Sequence, residues 1–297
     1  IHLTLGKAYN QEISFAAMDK LKHLKLGKQF NQSIDYLPDL ISLEFDYWCH
    51  YKHYDSLILP DTITHVKFAF MQRVWIDLPD GIISAHIGYL NNHTIPPERL
   101  PKTLKNLEVY SFGATELPPQ LERVSGFGLG GITYLPNTLK YISAATRKRI
   151  PPGLIPEGVE SLEITSVYEL ENLPDSIKKL KVVRCAEHGN NPIGDLPKYL
   201  EYLAINYSFN HPFIIPEGIK CIYFNNTFNQ PIELPKSVRE LQLGYCYSHP
   251  LPENTKLDLL IVHSRYEITP ALRKNVKKIK IIPESIWSRY AAVSPWW

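Results

Sequence analysis

Hydrophobic residues along this chain recur in groups of three with a fixed spacing. Leu104 is followed by Leu107 and then by Val109, with one polar residue between the last two. Alternation of this kind is typical of a β-strand with one buried face. The same spacing returns at Val159, Leu162 and Ile164; Ile177, Leu180 and Val182; Leu200, Leu203 and Ile205; Ile219, Ile222 and Phe224; and Val238, Leu241 and Leu243. Each group predicts one short strand.

In most of these groups the first hydrophobe comes three residues after the proline of a Leu-Pro or Ile-Pro dipeptide. These prolines are Pro38, Pro60, Pro79, Pro101, Pro118, Pro136, Pro156, Pro174, Pro197, Pro216 and Pro235. They recur about every 20 residues, which leaves no room for a strand and an α-helix in one repeat. Proline also disfavours helix, so the return segment should be extended or a turn. The pattern predicts about 15 stacked coils over residues 1–282.

A second motif follows several of the predicted strands. It has an aromatic residue, Asn, a polar residue, often Pro, and an aliphatic residue, as in Phe228-Asn229-Gln230-Pro231-Ile232. Asn tolerates turn dihedrals, and its side-chain amide can bond neighbouring backbone groups. We therefore expect stacked coils to share these bonds as a ladder. Related segments stand at residues 9–13, 30–34, 209–213 and 247–251.

The combined unit resembles the FNIP repeat, a relative of the leucine-rich repeat known chiefly from amoebae and their giant viruses. The resemblance implies a right-handed solenoid with a short parallel β-sheet on its concave face, which binds proteins and commonly follows an F-box that recruits a ubiquitin ligase. No F-box is visible in this sequence. The chain starts at Ile1 rather than at a methionine, which leaves room for a domain before it.

Composition and charge remove several other classes of protein. With 44% hydrophobic residues the chain can bury a core, which excludes disorder, and a net charge of +2 gives no general attraction to nucleic acid or anionic membranes. No run approaches the roughly 18 apolar residues that span a bilayer. Four cysteines without CxxC spacing favour a reducing compartment. We therefore expect a cytoplasmic protein, in the host cytoplasm if it is viral, with association with a virion as the other possibility.

Motifs that could carry chemistry are weak. Residues 126–131 satisfy GxGxxG, but a Leu-Pro repeat boundary follows where a dinucleotide site requires a helix. Cys49, His50 and His53 lack a second pair of metal ligands nearby. No histidine or acid is placed beside Cys221 by the sequence. We expect no enzyme activity, no cofactor and no metal.

The candidate binding residues alternate with the core positions and therefore face the concave side of the predicted sheet. Exposed tyrosines are good anchors for a protein partner because they are large, rigid and amphipathic, although exposed tyrosines are also common in a chain with 18 of them. The candidates are Tyr202, Tyr223 and Gln242, then Tyr207 and Tyr245 just beyond the strands, and His86, Glu108 and Tyr141 earlier in the chain.

The segment 283–297 differs from the repeats because aromatic residues are crowded there. Two interpretations remain open for Trp287, Tyr290, Trp296 and Trp297: they cap the last coil, or they dock into a partner. For the whole protein we expect a non-catalytic recognition module for protein partners, with the substrate-binding region of an F-box type ubiquitin-ligase receptor as its specific form. The alternative is a structural, assembly or virion scaffold protein. The sequence predicts neither an oligomeric state nor the identity of the partner.

Overall fold

The computed structural model describes residues 1–34, 36–46, 57–71, 77–90, 97–112, 116–129, 132–146, 149–166, 170–184, 194–205 and 209–283. The chain divides into two compact units, Ile1–Ala144 and Ala145–Trp297. Strands dominate both units, and the described helical segments are a 3₁₀ turn at Pro97–Arg99 and one short α-helix, α1, at Pro270–Asn275.

Fifteen short strands lie in the part of the chain that the structure describes. They are β1 His2–Thr4, β2 His23–Leu26, β3 Ser42–Phe45, β4 His65–Met71, β5 Ser84–Leu90, β6 Asn106–Phe112, β7 Arg123–Gly128, β8 Tyr141–Thr146, β9 Ser161–Ser166, β10 Lys179–Arg184, β11 Tyr202–Ile205, β12 Cys221–Phe224, β13 Glu240–Gln242, β14 Leu257–His263 and β15 Val276–Ile282. Within each unit the order of strands in the sheet is their order along the chain.

The strands pair in parallel, and equivalent positions of successive repeats lie opposite each other. In the first unit Leu24 pairs with Leu43, and in the second unit Leu203 pairs with Ile222, which pairs with Leu241. This register stacks the hydrophobic positions of each repeat on those of the next. The prediction of a mostly β, leucine-rich-repeat-like solenoid with a parallel sheet is therefore confirmed.

The Leu-Pro dipeptides mark a recurring turn before the strands. The backbone N–H of Leu104 donates to the carbonyl of Pro101 at 3.1 Å, and Val238 donates to Pro235 in the same way at 3.1 Å. The third residue after the proline then enters the core, where Leu104 is 0% exposed. Full burial of one such side chain contributes about 2 kcal/mol. The proline spacing thus sets where each coil turns inward.

The Asn motif forms the expected ladder on the far side of the strand. The Oδ1 of Asn210 accepts a hydrogen bond from the backbone N–H of Asn229 at 2.8 Å, and the Oδ1 of Asn229 accepts one from the N–H of Ser248 at 2.9 Å. The rings of Phe209 and Phe228 stack beneath them with centroids 5.8 Å apart. The turns that carry Asn210 and Asn229 are therefore bonded to the next coil, and the aromatic residues of the motif pack on each other.

The glycine motif at residues 126–131 has a structural explanation in its described part. Gly126 lies within β7 at a φ of 81°, and a Cβ there would overlap the carbonyl of Val109 on the neighbouring strand. Only glycine tolerates both conditions. Gly126 and Gly128 are therefore strand residues, while residues 130 and 131 lie outside the described chain.

Candidate functional site

In the first unit a row of charged side chains crosses the sheet on the side opposite the core, which we call the outer face. Lys25, Glu44, Lys67, His86 and Glu108 pair with one another in register from β2 to β6. Each stands between two core hydrophobes of its own strand, and a strand directs alternate side chains to opposite faces. We call these five residues the charged row.

The charges in this row form ion pairs across neighbouring strands. Glu44 Oε1 lies 2.8 Å from Lys25 Nζ and 3.2 Å from Lys67 Nζ, and the side chains of these three residues are 30–48% exposed. His86 Nδ1 lies 2.7 Å from Glu108 Oε2. The row is thus a charge pattern held on a rigid sheet and open to solvent.

The pairing changes the acidity of its members. Burial alone would raise the pKa of Glu44, but hydrogen bonds from Lys25 and Lys67 outweigh it and lower the pKa. The hydrogen bond to Glu44 raises the pKa of Lys25. Glu44 and Lys25 therefore stay charged around neutral pH, and the ion pair between them does not depend on small changes in pH.

Beside the charged row runs a second row with histidines at its start. The rings of His2 and His23 stack with centroids 4.0 Å apart, and His23 Nδ1 lies 2.9 Å from Ser42 Oγ. Burial lowers the pKa of His23, and the neighbouring His2, the N-terminal amine and His65 lower it further. His23 is therefore protonated less readily than a histidine in water.

Three of the predicted binding residues lie in the first unit. His86 and Glu108 belong to the charged row and bind each other. Tyr141 in β8 is half-buried, and the guanidinium of Arg123 lies 4.2 Å from the centre of its ring. The structure thus brings His86 and Glu108 together, and Tyr141 is covered by a cation from its own sheet.

The candidate residues Tyr202, Tyr223 and Gln242 of the second unit lie on the neighbouring strands β11, β12 and β13. Tyr202 pairs with Cys221, whereas Tyr223 pairs with Ala204 and Gln242, so the two tyrosines stand in different rows. Tyr223 and Gln242 are each only 4% exposed, although the sequence predicted exposed side chains there.

The reason for this burial is the apolar character of both faces of β12. Ala204, Cys221 and Tyr223 form a buried cluster on the outer face, and Tyr202 packs against it. The hydroxyl of Tyr223 donates to Glu240 Oε2 at 2.8 Å. A continuous run such as Cys-Ile-Tyr-Phe is typical of a strand covered on both sides, and this run was the signal against an exposed column.

Tyr245, the next candidate, lies in the turn after β13 and is half-buried. Its ring meets the ring of His263 edge-on at 4.1 Å, and the guanidinium of Arg265 lies 5.4 Å from its centre. The remaining candidates lie outside the described residues: Tyr207, Trp287, Tyr290, Trp296 and Trp297.

Sequence reasoning missed Lys25, Glu44 and Lys67. A usable signal was present, because each is the charged residue between two strand hydrophobes and the sign of the charge alternates from coil to coil. The sequence analysis instead favoured tyrosines, which here take part in packing.

Chemistry at the remaining candidates is limited by their surroundings. Burial raises the pKa of Cys221 to about 12, with a further contribution from Glu240, so this thiol is a poor nucleophile at neutral pH. Within the described residues no group of three or more His, Cys, Asp or Glu side chains is placed to hold a metal ion. Cys49, His50 and His53 lie outside the described residues.

None of the described helices is long and apolar enough to cross a membrane.

A comparison with models of protein families finds a match in the second unit. The family model for the FNIP Repeat matches residues 209–246, which contain β12, β13 and the bonded pair Asn210 and Asn229. The chain therefore contains an FNIP repeat. This match confirms the resemblance seen in the sequence. No curated protein matches the chain.

Two solved structures are similar to this FNIP-repeat chain. The first is "The crystal structure of CroV588 a novel circular LRR protein structure", with 20% identity and a TM-score of 0.54 over 94% of this chain and 56% of that one. At this identity the similarity concerns the leucine-rich-repeat fold. Because the match covers 56% of that protein, this chain spans little more than half of its length. The second is YopM from Yersinia enterocolitica, with 17% identity and a TM-score of 0.45 over 95% of this chain and 71% of that one.

Proposed function

We propose that this FNIP-repeat protein is a non-catalytic recognition module whose protein partner binds the outer face of the first unit. The observation that carries the proposal is the charged row. Parallel register fixes the backbone positions of its members about 4.8 Å apart along the sheet, and ion pairs between neighbouring strands hold the side chains of Lys25, Glu44 and Lys67. A rigid surface of this kind loses little conformational entropy when it binds.

The alternating charges of the row determine the kind of partner that fits. Lys25 and Lys67 flank Glu44, and each ammonium has three N–H donors, so a partner carboxylate can add to either lysine beside the existing ion pair. Complementary charges of this sort contribute specificity and association rate more than total affinity. We therefore expect a partner surface with acidic side chains set around a basic one.

The test measures binding of a purified partner to charge variants of the full chain. Such a partner is first identified by crosslinking, and its dissociation constant is then measured by calorimetry. We expect Lys67→Glu to weaken binding about tenfold, which corresponds to about 1.4 kcal/mol. Lys102→Glu makes the same change of charge in an exposed turn before β6 and should bind within twofold of the native chain. Equal binding by both variants would remove the charged row from the proposal.

The specific form of the proposal is that the partner is a substrate and that this chain is the substrate-binding region of an F-box type ubiquitin-ligase receptor. Its support is the FNIP repeat itself, through the association of this repeat with F-boxes. An F-box in the full reading frame and ubiquitination of the bound partner are the expected results. A reading frame without an F-box leaves binding alone as the function.

The alternative function is that of a structural, assembly or virion scaffold. Recovery of the protein in stoichiometric amounts from a particle would favour it over recognition of a transient partner. For either function we propose the cytoplasm as the compartment. Its support is that Cys221 and Cys246 are free thiols, as expected under reducing conditions.

A further inference from the structure

The turn before β14 differs from the turn before β13. The N–H of Val238 donates to the carbonyl of Pro235 at 3.1 Å, so the core position comes three residues after the proline. Before β14 the equivalent bond joins the N–H of Thr255 to the carbonyl of Pro252 at 3.0 Å. In the register of the two strands, however, the residue opposite Val238 is the buried Leu257, two residues further on. Two extra residues thus lie between this turn and its strand.

A pocket of about 510 Å³ lies at this offset, between the two turns, and we call it the turn pocket. A volume of this size is within the range of about 300–1,000 Å³ that is typical of small-molecule sites. The polar residues of its lining are Lys236, Arg239, Asn254, Thr255 and Lys256. Aliphatic residues and prolines make up the rest, and none of the described lining residues is acidic. The turn pocket is therefore rich in positive charge and in hydrogen-bond donors.

Arg239 stands between two ion pairs of one row, just before the strands. On one side of it Lys220 Nζ lies 2.9 Å from Glu201 Oε2. On the other side Lys277 Nζ lies 2.8 Å from Asp258 Oδ1. The hydrogen bond from Lys277 lowers the pKa of Asp258, and the charge of Arg239 adds to that shift. Arg239 thus acts on a carboxylate that another cation already binds, and it forms no ion pair of its own with a described residue.

The cations of the turn pocket have donors to spare. Nη1 of Arg239 donates to the carbonyl of Lys236 at 3.1 Å, which leaves the N–H groups of Nε and Nη2 for a ligand. The side chains of Lys236 and Lys256 are exposed, and neither ammonium pairs with any residue that the structure describes. Three positive charges of the lining are therefore available to one anion.

Thr255 adds a hydroxyl that lacks a partner. The residue is 7% exposed, and its Oγ1 makes no hydrogen bond within the described part of the chain. At another turn the hydroxyl is bonded, since Thr138 Oγ1 donates to the carbonyl of Leu121 at 2.6 Å. A buried hydroxyl without a partner is unfavourable. Because Thr255 lines the pocket, a change of its χ1 rotamer can turn the hydroxyl towards a ligand oxygen.

We propose that the turn pocket binds a phosphate monoester. Such a group carries a charge of about −1.5 to −2 at neutral pH and has three strong acceptor oxygens. The guanidinium of Arg239 bonds two of these oxygens side by side, and the hydroxyl of Thr255 donates to the third. The ammoniums of Lys236 and Lys256 neutralise the remaining charge. A carboxylate has one charge and two oxygens, and would leave part of this donor set unused.

The aliphatic and proline part of the lining contacts the organic group of the ester. The inference goes beyond the proposed function and does not depend on it, because the turn pocket lies in the second unit and the charged row in the first. The ester can be a free small molecule or a phosphorylated side chain of a protein. Two probes with the same phenyl phosphate group separate these sources: phenyl phosphate itself, and a pentapeptide of four alanines around a central phosphotyrosine.

Amide chemical shifts of the full chain, titrated with phenyl phosphate in ¹⁵N–¹H NMR spectra, test the inference. We expect saturable shifts at Thr255 and Lys256. The dissociation constant of phenyl phosphate should be at least fivefold below that of inorganic phosphate, because the ester adds apolar contacts. The pentapeptide should also shift these amides. Tighter binding of the peptide than of phenyl phosphate supports a phosphorylated protein as the source, and weaker binding supports a small molecule.

Variants of the pocket identify the groups that bind. Arg239→Gln should raise the dissociation constant of phenyl phosphate at least tenfold, and Thr255→Val, which keeps the shape of the side chain, about threefold. Lys178→Gln removes a cation from the same row three coils earlier, where it faces Glu160, and should bind within twofold of the native chain. Thr138→Val is the matched control for the hydroxyl and should also bind within twofold.

A double variant, Lys236→Gln with Lys256→Gln, covers the case in which Arg239→Gln does not fold. Both ammoniums are exposed and bond no described residue, so the fold should be kept while the dissociation constant rises at least tenfold. Native affinity in the pocket variants that fold would overturn the inference. Equal dissociation constants for phenyl phosphate and inorganic phosphate would overturn it too, as the mark of an adventitious ion only. These variants leave the charged row intact, so failure here is distinct from failure of the proposed function.

Discussion

Two buried side chains of the second unit, Cys221 and Tyr247, and the half-buried Tyr266 bind their protons more tightly than they would in water. Burial raises the pKa of Cys221 to about 12, and it also raises the pKa of Tyr247 and of Tyr266. Tyr247 is 4% exposed and stacks on Phe228 with ring centroids 6.1 Å apart. Ionisation of any of the three would place a negative charge in poorly solvated surroundings, which disfavours the ionised form.

Stability should therefore fall at alkaline pH. In the unfolded chain Cys and Tyr lose their protons near pH 8.5 and 10, whereas the folded chain retains them, so the folded state binds more protons above about pH 9. Between its unfolded and its folded pKa, each group lowers the free energy of unfolding by about 1.4 kcal/mol per pH unit. Urea unfolding at pH 8 and pH 10.5 measures the loss.

The variant Tyr247→Phe keeps the ring and removes one ionisable group. Its free energy of unfolding should decline less between the two pH values than that of the native chain. The control is Tyr134→Phe, because Tyr134 is 59% exposed and its removal should not change the decline. Identical declines in all three chains would show that burial of the Tyr247 hydroxyl does not govern the alkaline limit.

At the scale of single elements, the turns after β1, β11 and β12 are bonded to the next coil by the side-chain amides of Asn10, Asn210 and Asn229. Asn229 Oδ1 accepts hydrogen bonds from the backbone N–H of Ser248 at 2.9 Å and from its hydroxyl at 3.1 Å. The backbone carbonyl of Asn229 lies 3.2 Å from His249 Nε2. One asparagine thus satisfies several polar groups of the next coil, which explains why the motif repeats.

Replacement of this asparagine should weaken the junction between two coils. Asn229→Ala leaves the N–H of Ser248 without its acceptor and should cost about 1–2 kcal/mol in the free energy of unfolding. Asn229→Asp retains an acceptor oxygen and should cost less. Chemical denaturation of both variants checks the order, and a larger loss for Asp than for Ala would contradict the ladder as the stabilising contact.

The strands differ in how well the sequence predicts them. The Leu-Pro turn and the alternation after it predict β6 and its core residues Leu107 and Val109, because the local backbone and the burial pattern agree. The pattern also yields the register, since equal spacing in each repeat places equal positions side by side.

The start of helix α1 also has a local sequence pattern, a Thr-Pro pair. Thr269 accepts a hydrogen bond from the N–H of Leu272 at 3.3 Å, and Pro270 follows it at the first helical position.

The exposure of side chains on the outer face was harder to predict, because it depends on the side chains that neighbouring strands place beside them. Tyr223 and Lys67 both stand between two core hydrophobes, so the strand pattern treats them alike. One is buried and the other exposed. The difference comes from the neighbouring side chains on the same face: Tyr223 packs in a cluster with Ala204 and Cys221, whereas Lys67 pairs with Glu44. Only the apolar character of β12 indicated that both of its faces would be buried.

At the scale of the molecule, each coil depends on its two neighbours and on little else. In the second unit Leu203 pairs with Ile222 and Ile222 with Leu241, while Asn210 bonds Asn229 and Asn229 bonds Ser248. Both the core column and the ladder therefore repeat with the same 19-residue step here. Stability of such an array is approximately a sum over coils and their interfaces.

Removal of one whole coil should consequently leave a folded chain. Deletion of residues 216–234 joins Ile215 to Pro235 and so restores an Ile-Pro boundary. It also brings Leu203 opposite Leu241 and places Asn210 where its Oδ1 can accept the N–H of Ser248. We expect the far-UV circular dichroism per residue to be retained and thermal unfolding to stay cooperative, at a lower midpoint because one coil of core is lost.

Removal of half a coil is the matched control. Deletion of residues 216–224 takes out strand β12 and keeps the following Asn turn, so the core column and the ladder no longer share one step. If β11 then pairs with β13, the asparagines of the ladder no longer lie opposite their hydrogen-bond partners. If the asparagines keep their partners, β11 and β13 can no longer pair. We expect this chain to lose its cooperative transition. If the two deletions unfold alike, the coils are not equivalent units, and the stacking argument fails for this part of the protein.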